Sequence, residues 1–256
     1  MDAMLILQSL FRWFHILAGI VWIGHLYFFN FVNIPFQAVL EGGSKKVVNP
    51  ELLPRALFWF RWGAAWTWIT GVLLLLLVFY HGGLMFDTPV GWTAGALIMV
   101  ALTFVAPFIY DALVSIEALK NTRNAAIVGW ILTLVVVLLY IYVGNFGYRA
   151  YVIHVGSMFG TIMAFNVWFR IWPAQQVIIR AVKEGTPPPA DKVAMAGLRS
   201  RHNTYLSIPL VWAMIDMHTV VPFASEPGWL WLMVMVAAGW WLGTMLYRQS
   251  QKVKGF

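Results

Sequence analysis

Seven long stretches of the chain are almost wholly apolar, and the polar and turn-forming residues gather between them. The stretches run over approximately 9–35, 56–80, 91–114, 125–144, 151–172, 204–222 and 228–247. About 20 apolar helical residues cross a hydrocarbon core of ~30 Å, so each is long enough to span a bilayer. Glycine, proline or clustered charge marks every gap. The pattern predicts an all-α polytopic bundle of seven transmembrane helices, forming a single integral membrane domain over 1–256. The longest connection, 173–203, holds Thr186-Pro187-Pro188-Pro189. It reads as a short surface helix over 174–184, a proline turn and a second amphipathic stretch.

Charge orients this map. If the N-terminus lies outside, the cytoplasmic segments are 36–61, 115–124, 170–203 and 248–256. They hold fifteen of the seventeen Lys and Arg residues, and only Arg12 and Arg149 remain on the outer side. Such a bias is the positive-inside signature, and it predicts a cytoplasmic C-terminus. Hydrophobic residues make up 61% of the chain and charged ones 11%, against about half and about a quarter in soluble domains. The net charge of +7 therefore reflects membrane orientation, and nucleic-acid binding is not expected. The chain has no cysteine, which excludes disulfides, Fe–S clusters and covalent haem c attachment. Arg12 falls inside the first apolar run, and that run continues to Pro35. It is too long for a signal-peptide core and is read as a retained first helix. Trp13, Trp59, Trp62, Trp92, Trp172 and Trp229 lie near helix ends, where indoles suit the membrane interface.

The topology also sorts the histidines. His15, His81, His154 and His218 come out near the outer ends of helices one, two, five and six; His25 sits mid-helix, and His202 is at the cytoplasmic mouth of helix six. Polar groups in a bilayer are costly and usually face the bundle interior. At 100° per residue, Arg12, His15, Gly19, Trp22, Leu26, Asn30 and Asn33 share a stripe about 80° wide. Gly19 lies one turn from His15, where a missing side chain would let a flat ligand approach. His25 points about 80° away from His15 on an ideal helix. Asn203, Ser207, Met214 and His218 share a face of helix six, with Asp216 on the other side.

Imidazoles on facing helices suit haem iron. His15, His154, His218 and His25 are the candidate ligands, with Met214 a weaker one. Each also has a plain structural reading as an interhelical hydrogen-bonding side chain. Arg12 and Arg149 are either headgroup anchors or holders of an anion such as a haem propionate. Paired catalytic carboxylates, nucleophilic triads and phosphate loops are not seen. A weak internal repeat links His15, Phe29-Asn30 and Pro35 in helix one to His154, Phe165-Asn166 and Pro173 in helix five.

Several segments resemble the membrane domain of the bacterial cytochrome c-linked urate oxidases. They are Arg12-Trp13-Phe14-His15-Ile16-Leu17-Ala18-Gly19 continuing to Gly24, Phe28-Phe29-Asn30 continuing to Pro35, Phe60-Arg61-Trp62-Gly63 and Thr67-Trp68-Ile69-Thr70-Gly71. His154 through Ala164, Asn166-Val167, Pro173-Ala174-Gln175 and Arg201 through Pro209, followed by Met214 and His218, are similar too. The resemblance implies an eighth helix and an attached cytochrome c domain. This sequence holds neither, and has no Cys-x-x-Cys-His motif.

The leading expectation is a multi-pass protein of the bacterial inner membrane that binds non-covalent haem b near the outer leaflet. Helices one, five and six would hold it, and electrons would pass to or from a periplasmic cytochrome or quinone. Oxidation of urate or a related molecule with a separate cytochrome c is the second reading. A non-redox transporter, or an accessory subunit of a respiratory or other membrane complex, is the third. The lipid bilayer is the expected partner, and a homo-oligomer is compatible with the pattern.

Overall fold

The computed structural model of the protein describes residues 3–216, 218 and 227–255. Most of those residues are helical, with no β-strand among them. Nine α-helices appear in chain order: α1 Ala3–Tyr27, α2 Ile34–Val39, α3 Gly42–Leu74, α4 Ala94–Val114, α5 Thr122–Tyr142, α6 Tyr148–Phe165, α7 Trp172–Glu184, α8 Ala190–Asp216 and α9 Gly228–Ser250. Three π-helical turns extend or join them, at Phe28–Asn33, Leu75–Tyr80 and Asn166–Ile171. Six continuous helical stretches are long and apolar enough to cross a membrane: Ala3–Val39, Gly42–Tyr80, Ala94–Val114, Thr122–Tyr142, Tyr148–Glu184 and Gly228–Ser250. These correspond to the expected helices one to five and seven.

The expected sixth helix is α8, and it differs from the reading of 204–222. It begins at Ala190, directly after the three prolines, and runs without a break to Asp216. The second amphipathic stretch and the sixth helix are thus one element. Its first half carries Lys192, Arg199, Arg201, His202 and Asn203, which keeps it below the apolarity of the other six. The part of the expected helix at 217 and 219–222 lies outside the described residues. The second expected helix likewise starts early, at Gly42 rather than 56, and passes through Pro50 and Pro54. Hydropathy marks where a helix becomes apolar, not where it begins.

Local chemistry explains several ends. Thr93 caps α4 by accepting from Ala96 N–H at 3.1 Å, and Asn121 caps α5 by accepting from Arg123 and Asn124 N–H. Such caps satisfy donors that a helix start leaves free. Asp87 does the same for α6, accepting from Tyr148 N–H at 2.9 Å. Within the spans, Thr67, Thr70, Thr103, Thr133 and Thr161 each donate to the carbonyl one turn back. That bond keeps a hydroxyl satisfied where lipid offers no partner.

The chain divides into two compact units. The first contains Met1–Gly71, Met163–Ser207 and Leu242–Phe256; the second contains Val72–Ile162 and Ile208–Trp241. In the first unit α1 meets α3 at Gly63. A Cβ there would stand 3.0 Å from Trp22 N and 3.2 Å from its Cα, so a larger residue would push the two backbones apart by a few tenths of an ångström. Trp22, Leu26, Phe60 and Ala64 are buried around the contact. Beside it runs a polar network. Asn30 donates to Ser200 Oγ at 2.8 Å and to Leu26 O at 2.9 Å, and accepts from Tyr247 Oη at 2.8 Å. Asn166 donates to Asn203 Oδ1 at 2.8 Å, Arg199 donates to Asn166 at 3.2 Å, and Asn203 donates to Met163 O at 3.0 Å.

The suggested repeat has a backbone counterpart. The first and fifth apolar runs both pass into a six-residue π turn and then a helix whose second residue is proline, Pro35 or Pro173. The side chains are out of register: Asn30 is third in its π turn and Asn166 first in its own.

The second unit is centred on α6, whose residues Ala150–Val155 are all buried. Trp130 Nε1 donates to Met233 O at 3.2 Å, and Tyr140 Oη pairs with Thr103 Oγ1 at 2.7 Å.

Candidate functional site

His15 is half-buried on α1 and its Nδ1 lies 3.2 Å from Thr70 Oγ1. The Thr70 hydroxyl has one proton, and it points to Trp66 O at 2.6 Å. Toward His15 that oxygen can only accept. Nδ1 of His15 therefore carries the ring proton, and Nε2 carries the lone pair. Gly71 makes room for the ring: a Cβ there would lie 3.0 Å from His15 Cε1. Gly19, expected to open a slot beside His15, faces Thr67, whose methyl would be at an ordinary contact distance of 3.8 Å from an added Cβ.

His25, also half-buried in the first unit, donates Nδ1–H to Val21 O at 2.7 Å. Its Nε2 is again the lone-pair nitrogen. Arg12, in the same unit, is exposed.

His154 is fully buried in the second unit. It donates Nδ1–H to Ala150 O at 2.7 Å, so Nε2 accepts from Tyr80 Oη at 3.0 Å. The rings of Phe79, Tyr80, Tyr140 and Phe146 stand around it, with centroids 4.8–6.4 Å away. As packed, His154 is a core histidine with both nitrogens engaged. A larger ligand can reach Nε2 only when Tyr80 turns aside. Met214 of α8 lies over α6 at Gly156, where an added Cβ would be 3.3 Å from Met214 Cε. His218 sits in an exposed turn just after α8, its backbone N–H donating to Ile215 O at 3.0 Å. Arg149 is exposed on α6. Among the described residues no group of three or more His, Asp or Glu side chains is gathered closely enough to hold a metal ion. Haem iron, however, needs no more than two protein ligands.

For haem the donor set fits in one respect. A ligating imidazole gives its second N–H to an oxygen acceptor, which fixes the tautomer and directs the lone pair at the metal. His15, His25 and His154 all meet this condition. Among the described residues no such partner is seen for the His218 ring, and at His154 the lone pair is already occupied.

Sequence reading missed several residues that belong to this description. Thr70 and Gly71 shape the His15 pocket, and Tyr80 holds His154. Asp216 is buried, and accepts a hydrogen bond from Tyr148 Oη at 2.5 Å. Tyr80 and Asp216 stand beside or near histidines that drew the attention, and their partners are 74 and 68 residues away in the chain.

The sequence matches the urate oxidase N-terminal family over residues 39–255. The match begins after the helix-one segment that carries His15 and His25. No curated protein and no solved structure matches the chain. With the match covering most of its length, the chain belongs to the urate oxidase N-terminal family.

Proposed function

We propose that this membrane protein of the urate oxidase N-terminal family binds haem b and carries electrons in the bacterial inner membrane. The observation that carries the reading is the shared tautomer of His15, His25 and His154. In each, a carbonyl or hydroxyl oxygen takes the Nδ1 proton and leaves Nε2 with the lone pair that iron ligation uses. His15 and His25 are the readiest ligands. In the second unit, taken by itself, His154 would be a ligand if Tyr80 releases its Nε2, and His218 would serve as an exposed one. Haem b, when bound, supplies a one-electron carrier. The chain's own residues fix the imidazole rings through the Nδ1 hydrogen bonds. Arg12 and Arg149 would offer guanidinium groups to propionates. The proposed topology has seven spans, with α8 as the sixth, the N-terminus outside and the C-terminus cytoplasmic, as the charge distribution favours. A periplasmic cytochrome, a quinone or a respiratory complex would exchange the electrons. The test is the absorption spectrum of protein purified after expression with ample haem supply. A Soret band with resolved bands on reduction is expected, and a featureless visible spectrum would overturn the proposal.

Family membership favours a second reading, in which the chain oxidises urate or a related purine anion with a separate cytochrome c as acceptor. Consumption of urate coupled to reduction of added cytochrome c is the discriminating assay. A haem-loaded protein inert toward urate leaves the carrier role alone.

A further inference from the structure

Arg61 of α3 lies in the first unit, and the proposed electron-transfer role does not use it. Its guanidinium carbon is 4.0 Å from the ring centroid of Trp172 and 5.7 and 5.9 Å from those of Phe58 and Trp168. The π turn at Asn166–Ile171 leads directly into α7 and presents Trp168 and Trp172 four residues apart. Trp168 Nε1 donates to the Arg61 carbonyl at 3.0 Å and locks the turn to α3. Trp172 stacks on the guanidinium, so the cation rests on an aromatic face. Its in-plane donors are left over. Nε is buried with no hydrogen-bond partner, and among the described residues no carboxylate forms an ion pair with Arg61. The buried Nε is closed to a ligand, and the two terminal nitrogens of a guanidinium, for which the described residues supply no ion-pair partner here, match two oxygens of a phosphate group.

The rings beside it indicate the source of that phosphate. Phe58, Trp59 and Trp62 are 44%, 57% and 39% exposed. Exposed indoles next to a cation mark the headgroup level of a bilayer. We propose that Arg61, clamped by Trp168 and Trp172, is a binding site for the phosphate of one anionic phospholipid.

The experiment is native mass spectrometry of the full chain in a non-ionic detergent, with added phosphatidylglycerol, phosphatidylcholine or inorganic phosphate. One phosphatidylglycerol should be retained in preference to phosphatidylcholine. Arg61→Gln should weaken its retention by about tenfold or more, the loss of one charge-assisted pair. Arg61→Lys should weaken it by less, because the charge stays and the planar fork is lost. Arg55→Gln, at an exposed arginine paired with Glu51 on the same helix, should leave retention unchanged. Wild-type retention in Arg61→Gln, or an equal loss in Arg55→Gln, would overturn the site. Displacement of the lipid by millimolar inorganic phosphate would overturn the lipid as its occupant. If circular dichroism shows Arg61→Gln to be unfolded, Arg61→Lys decides: retention equal to wild type contradicts a fork-shaped site.

Discussion

The bond between Tyr80 and His154 can be isolated by replacing each partner and then both. Tyr80→Phe keeps the ring and its contacts with Trp92 and His154, whose centroids lie 5.5 and 5.7 Å away. It removes only the hydroxyl, so the fully buried Nε2 of His154 loses its donor. A neutral hydrogen bond contributes about 0.5–1.5 kcal/mol, and an acceptor left buried and unpaired costs about 1–3 kcal/mol. In lipid the unfolded reference finds partners as well, and interhelical couplings average about 0.6 kcal/mol with a ceiling of about 1.7. Tyr80→Phe is therefore expected to destabilise by about 1 kcal/mol. In the His154→Leu background the same change should be close to neutral, because no acceptor remains to be orphaned. The coupling from the full cycle should be about 0.6–1.7 kcal/mol. Reversible unfolding in mixed micelles, followed by far-UV circular dichroism, measures all four proteins. A coupling indistinguishable from zero, or a Tyr80→Phe protein more stable than wild type, would contradict a stabilising Tyr80–His154 bond.

Gly63→Ala should destabilise by about 1–2 kcal/mol despite a helix-propensity gain of about 1 kcal/mol, because the new methyl meets backbone atoms of Trp22 and pushes the two backbones apart. Thermal unfolding in detergent reads this, and an unchanged or raised midpoint would count against the close α1–α3 approach. Gly71→Ala should push the His15 ring away from Thr70, lowering haem content or shifting the Soret band with little loss of helix. Asn166→Leu removes the acceptor of Arg199 and the donor to Asn203 inside a buried network, and should cost about 2–4 kcal/mol or abolish membrane accumulation. Asp216→Ala leaves the buried Tyr148 hydroxyl without its acceptor and should cost about 1–3 kcal/mol, whereas Asp216→Asn should cost less; chemical unfolding of the two variants compares them.

The spans were legible because a bilayer-crossing helix must be apolar along its whole length, and the runs at 91–114 and 125–144 return almost unchanged as α4 and α5. Helix starts outside the apolar runs were less so. Residues 42–55 of α3 are too polar to register as a span and hold Pro50 and Pro54, which disfavour a helix interior, yet the helix runs through both. The three π turns carry no sequence mark of their own, although proline follows two of them at once. For the candidate site, the histidines could be named but not their partners. Thr70 lies 55 residues from His15, and no local period links residues so far apart. The methyl that faces Gly19, on Thr67 of another helix, was hidden for the same reason.

The most direct test of the haem proposal is the haem content per chain of the wild type against His15→Ala, His25→Ala and the double variant, measured as the pyridine haemochrome after purification. The tautomers predict bound haem in the wild type, a loss in at least one single variant and a larger loss in the double variant. Haem content that is unchanged in all three variants, or absent from the wild type, contradicts the account.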